Sequence, residues 1–205
     1  MLLSIPVRSL VVHRGLTLGG KSEKLGCMSL PQLEPLLTQR QIAARVAELG
    51  KQIAGDFLVT SSATPLWLIG ALKGAVFFQA DLARAIDRDV SMGFIRASSY
   101  GGSTTSSEDV QIRLDLNDDI AGADVILVED IVDTGYTARA LLDRLTAAKP
   151  RTLRLASLLD KPSRRKLPVT IDYRGFEIPD EFVVGYGLDH AESYRNLPDI
   201  SVLTL

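Results

Sequence analysis

The sequence predicts an α/β fold: a mostly parallel twisted sheet with helices on both faces and a small hood. Three observations predict it. Short apolar runs such as LWLIGAL and DVILV are unbroken by polar residues, as strands covered on both faces are. These runs alternate with segments in which apolar residues recur at helical spacing, and such alternation builds a parallel sheet with crossover helices. From Lys161 onward the pattern changes to short strand-like pieces between Pro- and Gly-rich turns, which leaves the strand-helix repeat.

The elements follow in order. Thr38 and Gln41 form a capping-box pattern, and Ile42, Val46, Leu49 and Ile53 then mark one face of a first helix up to Gly55. Pro65 to Leu72 reads as a buried strand and Ala75 to Ile86 as a helix with Phe78, Leu82 and Ile86 on one stripe. A second strand, Met92 to Ala97, runs into SSYGGSTTSSED, which has almost nothing to bury, so Ser98 to Asp109 is expected to be a mobile loop. Asp124 to Val128 is a third strand. Ala138, Leu141, Leu142 and Leu145 mark the next helix before Pro150, and Leu153 to Leu159 is a further apolar run. The tail holds VTIDY, EFVVGYGL and SVLTL, and residues 161–205 are expected to supply most of the hood.

At 205 residues and 46% apolar composition, the chain can bury one sizeable core. Residues 31–205 are therefore expected to form a single domain. With 23 basic and 25 acidic side chains the net charge is -2, so no global field draws the protein to nucleic acid or anionic lipid. A single cysteine, Cys27, and two histidines, His13 and His190, exclude an internal disulfide and a His- or Cys-rich zinc site and fit a reducing cytoplasm. Met1 to Ser22 lacks acids and faintly resembles a transit peptide, but Arg8 interrupts its apolar run. No stretch reaches the roughly 20 apolar residues of a membrane span. Residues 1–30 are expected to be a poorly ordered leader, with Met28 an alternative start.

The chemistry concentrates in VILVEDIVDTGYTARALL, Val125 to Leu142. Glu129 and Asp130 stand at the end of a buried strand, where neighbouring carboxylates are desolvated and repel unless a cation or hydroxyl groups meet them. Thr134, Gly135, Tyr136 and Thr137 open a helix whose free N–H groups and dipole favour an anion. An acidic turn before an ordinary helix cap is the plainer reading, but it does not account for the combination.

This segment resembles the phosphoribosyl-diphosphate motif of type I phosphoribosyltransferases. The resemblance implies that Glu129 and Asp130 hold the ribose hydroxyls, that Thr134–Thr137 hold the 5′-phosphate, and that the fold is that of the family. Three more segments resemble hypoxanthine-guanine phosphoribosyltransferases, over roughly Ile69 to Leu197. LKGA implies diphosphate contacts at Lys73 and Gly74, beside a Leu72–Lys73 bond often cis in the family. Ser99 and Tyr100 match the opening of a flexible lid. The stretch from DKPS to GFEIPDEFVVGYGLDHAESYRNL places Lys161, Phe182 and Val183 at purine contacts, Asp189 at a metal contact and Arg195 at a diphosphate contact. Phe182 can stack on a purine, Lys161 can donate to a 6-oxygen, and the Arg195 fork suits diphosphate. Asp133 matches the carboxylate beside purine N7 and is the candidate general base. The implied reaction joins a 6-oxopurine, hypoxanthine or guanine, to phosphoribosyl diphosphate with Mg²⁺, which Asp189, Glu129 and Asp130 would hold. The family forms dimers and tetramers, so a homo-oligomer is expected.

Two other readings compete. GLTLGGKS, Gly15 to Ser22, satisfies a P-loop pattern, but Gly26 and Pro31 leave no room for the helix an NTPase requires. An RNA-binding regulator on the same fold would want a basic face, whereas Arg164, Arg165 and Lys166 read as an exposed turn. His190 receives no role.

Overall fold

In a computed structural model, the protein is described over residues 31–57, 64–99, 110–114 and 120–204. The expected leader, the Gly15–Ser22 pattern, Cys27, Tyr100 and residues 101–109 of the expected loop lie outside these. Pro31–Leu205 form one compact unit. Its elements are β1 (Gln32–Leu37), α1 (Gln39–Asp56), β2 (Leu66–Leu72), α2 (Val76–Ala85), β3 (Ser91–Ser99) and β4 (Val110–Leu114). Then follow β5 (Asp124–Val132), α3 (Tyr136–Thr146), β6 (Thr152–Asp160), β7 (Tyr173–Glu177), β8 (Val183–Val184) and β9 (Ile200–Thr204).

The main sheet has the order β4-β3-β2-β5-β6-β7, and all neighbours are parallel except the β3–β4 pair. The chain moves from β2 through α2 to β3 in one direction and from β5 through α3 to β6 in the other. Because such crossovers are right-handed, opposite directions put α2 and α3 on opposite faces. Strand order reverses between β2 and β5, and the carboxyl ends of the strands flanking such a reversal leave a crevice. The core behind that crevice is dry: Leu68, Ile69 and Val125–Val128 are all 0% exposed.

Local rules set the element ends. Thr38 Oγ1 accepts from the Gln41 amide at 3.4 Å while Gln41 Oε1 accepts from the Thr38 amide at 2.9 Å, completing the capping box. Ile42, Val46, Leu49 and Ile53 are buried along α1 as their spacing requires. Leu141 and Leu145 do the same for α3.

Four segments differ from the sequence expectation. β3 extends through Ser98 and Ser99, which pair with Gln111 and Val110 of β4, so the loop expected from Ser98 begins later. β5 continues past Val128 to Val132, paired only with β6, because the β2–β5 ladder stops at Gly70 and Val128. Glu129 and Asp130 thus lie within a strand that overhangs its neighbour. Of VTIDY, residues 169–173, only Tyr173 enters a strand: Tyr173–Glu177 forms β7 and adds to the main sheet beside β6, with Tyr173 1% exposed. The second, three-stranded sheet has the order β1-β9-β8 and takes β1 from the N-terminal side. Pro35 hides that strand in the sequence, yet β1 is an edge strand, where proline's missing donor is tolerated. No helix among the described residues is long and apolar enough to cross a membrane.

Candidate active site

The crevice at the strand reversal is a cleft of about 340 Å³ lined by Lys73, Gly74, Glu129, Asp130, Asp133, Thr134, Gly135, Thr137, Asp189 and Arg195. Three chain regions meet there. Lys73 and Gly74 turn off the end of β2, after a Leu72–Lys73 peptide bond that is cis. The overhang of β5 and the first turn of α3 supply the acids and the Thr/Gly loop. Asp189 and Arg195 come from the connection between β8 and β9.

Glycine is required where these regions touch. A Cβ on Gly74 would lie 1.6 Å from Asp130 Oδ2, so no other residue lets the β2 turn approach that carboxylate. Gly135 has φ 93°, and a Cβ there would lie 2.4 Å from the Leu167 carbonyl oxygen. The second restriction is packing against the chain behind the loop.

The acids are electrostatically unsettled. Glu129 is 5% exposed and its Oε1 has no hydrogen-bond partner among the described residues. Burial, then the adjacent Asp130 charge, push its carboxyl well above the usual range. Asp130 is pushed up to about 6, chiefly by desolvation, against the backbone hydrogen bonds and Arg195 charge that pull it down. The Asp130 Oδ1 accepts from the Ile131 amide at 2.9 Å. On the opposite wall Arg195 Nη2 pairs with Asp189 Oδ1 at 2.8 Å, and Arg195 Nη1 donates to the Gly187 carbonyl at 2.8 Å. Lys73 Nζ sits 2.9 Å from Glu192 Oε2 across the mouth.

A second cleft of about 660 Å³ shares Asp130, Ile131, Asp133 and Asp189 with the first and adds Lys161, Phe182, Val183 and Leu188. Lys161 is 6% exposed and its Nζ donates to the Glu181 carbonyl at 2.6 Å. Val183 is buried in the β8–β9 ladder. Phe182 is 51% exposed, with the His190 ring edge-on at 5.5 Å.

Among the residues whose side chains are described, those derived from the sequence converge, with one exception. Tyr136 is 59% exposed and does not line either cleft. Ser99 is the last residue of β3, and Tyr100 lies outside the described residues. Sequence reasoning missed four neighbours. Ile131 lines both clefts, Glu192 meets Lys73 and Arg195, and His190 touches Phe182. Arg164, read as part of an exposed turn, places Nε 3.0 Å from Asp133 Oδ1, within ion-pair distance though not aligned as a hydrogen bond. Arg164 and Lys166 are exposed as that reading expects, but Arg165 is not, with its side chain 18% exposed. Local pattern could not flag Arg164, Arg165 or the Lys73–Glu192 pair, because their partners lie far away in sequence.

A model of the phosphoribosyl transferase domain matches residues 32–191. The hypoxanthine-guanine phosphoribosyltransferase of Mycobacterium tuberculosis is 52% identical over 170 residues, covering 82% of this chain and 84% of its own. The hypoxanthine phosphoribosyltransferase of Escherichia coli is 43% identical over 173 residues, covering 84% and 96%. A solved hypoxanthine phosphoribosyl transferase of Trypanosoma cruzi superposes with a TM-score of 0.79 at 42% identity, covering 83% of this chain and 91% of that one. With its fold, its acid-bearing strand and these relatives, the chain belongs to the phosphoribosyl transferase domain family.

Proposed function

We propose that the protein transfers the 5-phosphoribosyl group of phosphoribosyl diphosphate to N9 of hypoxanthine or guanine and releases diphosphate, as its named relatives suggest. The observation that carries this reading is the pair of clefts sharing one wall. One cleft has carboxylates, an uncapped helix N-terminus and two cations; the other has an exposed aromatic ring and a buried lysine.

In this reading Glu129 and Asp130 hold the ribose hydroxyls, and the backbone of Thr134–Thr137 holds the 5′-phosphate at the start of α3. Lys73, Gly74 and Arg195 meet the diphosphate. Phe182 stacks on the base over Val183, Lys161 donates to its 6-oxygen, and the three-stranded sheet with its turns serves as the hood. Residues 31–205 act as the single domain. As the bond from ribose C1 to the diphosphate oxygen breaks and the bond to N9 forms, Asp133 accepts the proton leaving N7. Ser99 and Tyr100 open a lid that excludes water.

The donor set fits Mg²⁺. Asp130 and Asp189 offer carboxylate oxygens to one cleft, and the unpartnered Glu129 Oε1 stands beside them. Among the described residues no group of three or more His, Cys, Asp or Glu could hold a metal. Mg²⁺ takes most of its ligands from substrate and water, so it needs few protein carboxylates. Bound there, Mg²⁺ neutralises charge on the leaving diphosphate.

The test incubates the protein with phosphoribosyl diphosphate, Mg²⁺ and each purine base in turn. Nucleotide formation with hypoxanthine or guanine, little with adenine, and loss of turnover in chelator are expected. Fastest turnover of adenine, whose amino group cannot accept from Lys161, overturns the base assignment.

A further inference from the structure

We propose that Arg165, anchored on the buried carboxylate of Asp160, is a positioning residue that aims the amides of the phosphate loop into the cleft. The proposal deepens the function just described and rests on it.

The guanidinium lies behind the loop and touches no part of either cleft. Its Nε donates to the Asp133 carbonyl at 2.9 Å and its Nη2 to the Val132 carbonyl at 3.2 Å. The same Nη2 pairs with Asp160 Oδ1, and the two side chains are 18% and 7% exposed. The next two residues continue the clamp: the amides of Lys166 and Leu167 both donate to the Thr134 carbonyl at 3.0 Å. Three successive carbonyls, of Val132, Asp133 and Thr134, are thus drawn toward the segment after β6.

A trans peptide points its N–H opposite to its C=O, and among the described residues the only cis bond is Leu72–Lys73. Pulling those carbonyls backward therefore turns the amides of Asp133, Thr134 and Gly135 forward, toward the cleft these residues line. The amides of Thr134 and Gly135 donate to no acceptor among the described residues. Free donors held at the start of a helix are what an anion requires. The same clamp sets the Cα–Cβ direction of Asp133, so phosphate affinity and proton transfer share one support.

Why an arginine is needed follows from geometry. A planar fork donates in several fixed directions at once, and a lysine ammonium on its flexible stem does not. Arg174 supplies a built-in control. Its Nη1 lies 3.2 Å from Asp160 Oδ2, so it shares the buried carboxylate with Arg165, but its other side-chain partner is Glu177, not the loop.

The experiment compares Arg165→Lys with Arg174→Lys. Both keep a positive charge beside Asp160, which limits loss of folding. In Arg165→Lys, the KM for phosphoribosyl diphosphate should rise and kcat fall, each by about tenfold, while the KM for the purine stays within about twofold. Arg174→Lys should match the parent in all three. Parental values in Arg165→Lys, or equal losses in both variants, overturn the proposal. If the parent forms no nucleotide, the proposed function fails by itself. The clamp is then read from amide hydrogen exchange of residues 133–137, which should be faster in Arg165→Lys than in Arg174→Lys; equal rates overturn it.

Discussion

Apart from Lys73, the charged groups of the cleft come from two regions, and these are built differently. The segment from Glu129 to Thr137 is continuous in sequence and rides on β5 and α3, with the strand's Val125–Val128 completely buried behind it. The connection from Tyr186 to Arg195 lies outside the regular ladders. Tyr186, Ala191, Glu192 and Tyr194 all have positive φ, between 47° and 74°, a region costly for side-chain-bearing residues. Local bonds hold it: the Glu192 amide donates to Asp189 Oδ2 at 2.9 Å, and the Gly187 amide to the Arg195 carbonyl at 2.9 Å. The first region is a fixed frame for a ligand. The second is a strained turn whose cation, Arg195, is paired with the turn's own Asp189 and Glu192.

The comparison breaks most visibly at Asp133, on the frame. Asp133→Asn should lower kcat by about 10² to 10⁴-fold while affinity for phosphoribosyl diphosphate changes little, since positioned proton transfer typically contributes that much. Unchanged kcat, measured with melting temperature on the same variant, removes Asp133 from the chemistry.

Gly74 is where the two regions meet, because its missing Cβ leaves room for Asp130 and its carbonyl fills the space a Cβ on Gly187 would need. Gly74→Ala should therefore lower kcat/KM by about 10- to 100-fold through displaced carboxylate and turn. Parental kinetics in this variant would show that the contact is not needed.

On the strained turn the effect should be smaller and of opposite sign. Glu192 is exposed and its carboxyl is held below its usual value, first by the hydrogen bond from Lys73. Removing this rival anion in Glu192→Gln should lower the KM for phosphoribosyl diphosphate by up to about fivefold, the scale of an exposed ion pair. A raised KM would mean that Glu192 helps to hold the ligand.

The smallest effect concerns pH. Asp130 titrates at about 6 in the folded chain against an ordinary value of 3.8. Between those values the folded state binds more protons than the unfolded state, so this group makes stability fall as pH rises through that window. In metal-free, ligand-free protein, Asp130→Asn should gain melting temperature over the parent across the window and keep a constant advantage above it. An advantage that is constant from pH 4 to 7 would remove Asp130 as the source.

The sequence by itself determined what depends on neighbours along the chain. The apolar runs 65–72 and 124–128 read as buried strands, the capping box at Thr38 started α1, and Glu129 to Thr137 placed acids and a helix start within one short segment. Segments with two possible partners were decided in three dimensions. β1, with its internal Pro35, becomes a strand only because β9 lies beside it, and Tyr173–Glu177 joins the main sheet because the edge of β6 is open there. The same holds in the site. Phe182 and Lys161 stand in one cleft with Asp133 because β6 and the β8 turn bring them there, and Arg165 reaches the segment between β5 and α3 through carbonyls 32 and 33 positions away. Side-chain periodicity encodes which face a residue shows, but a hydrogen bond to a distant backbone carbonyl leaves no periodic trace, so only the folded chain reveals it.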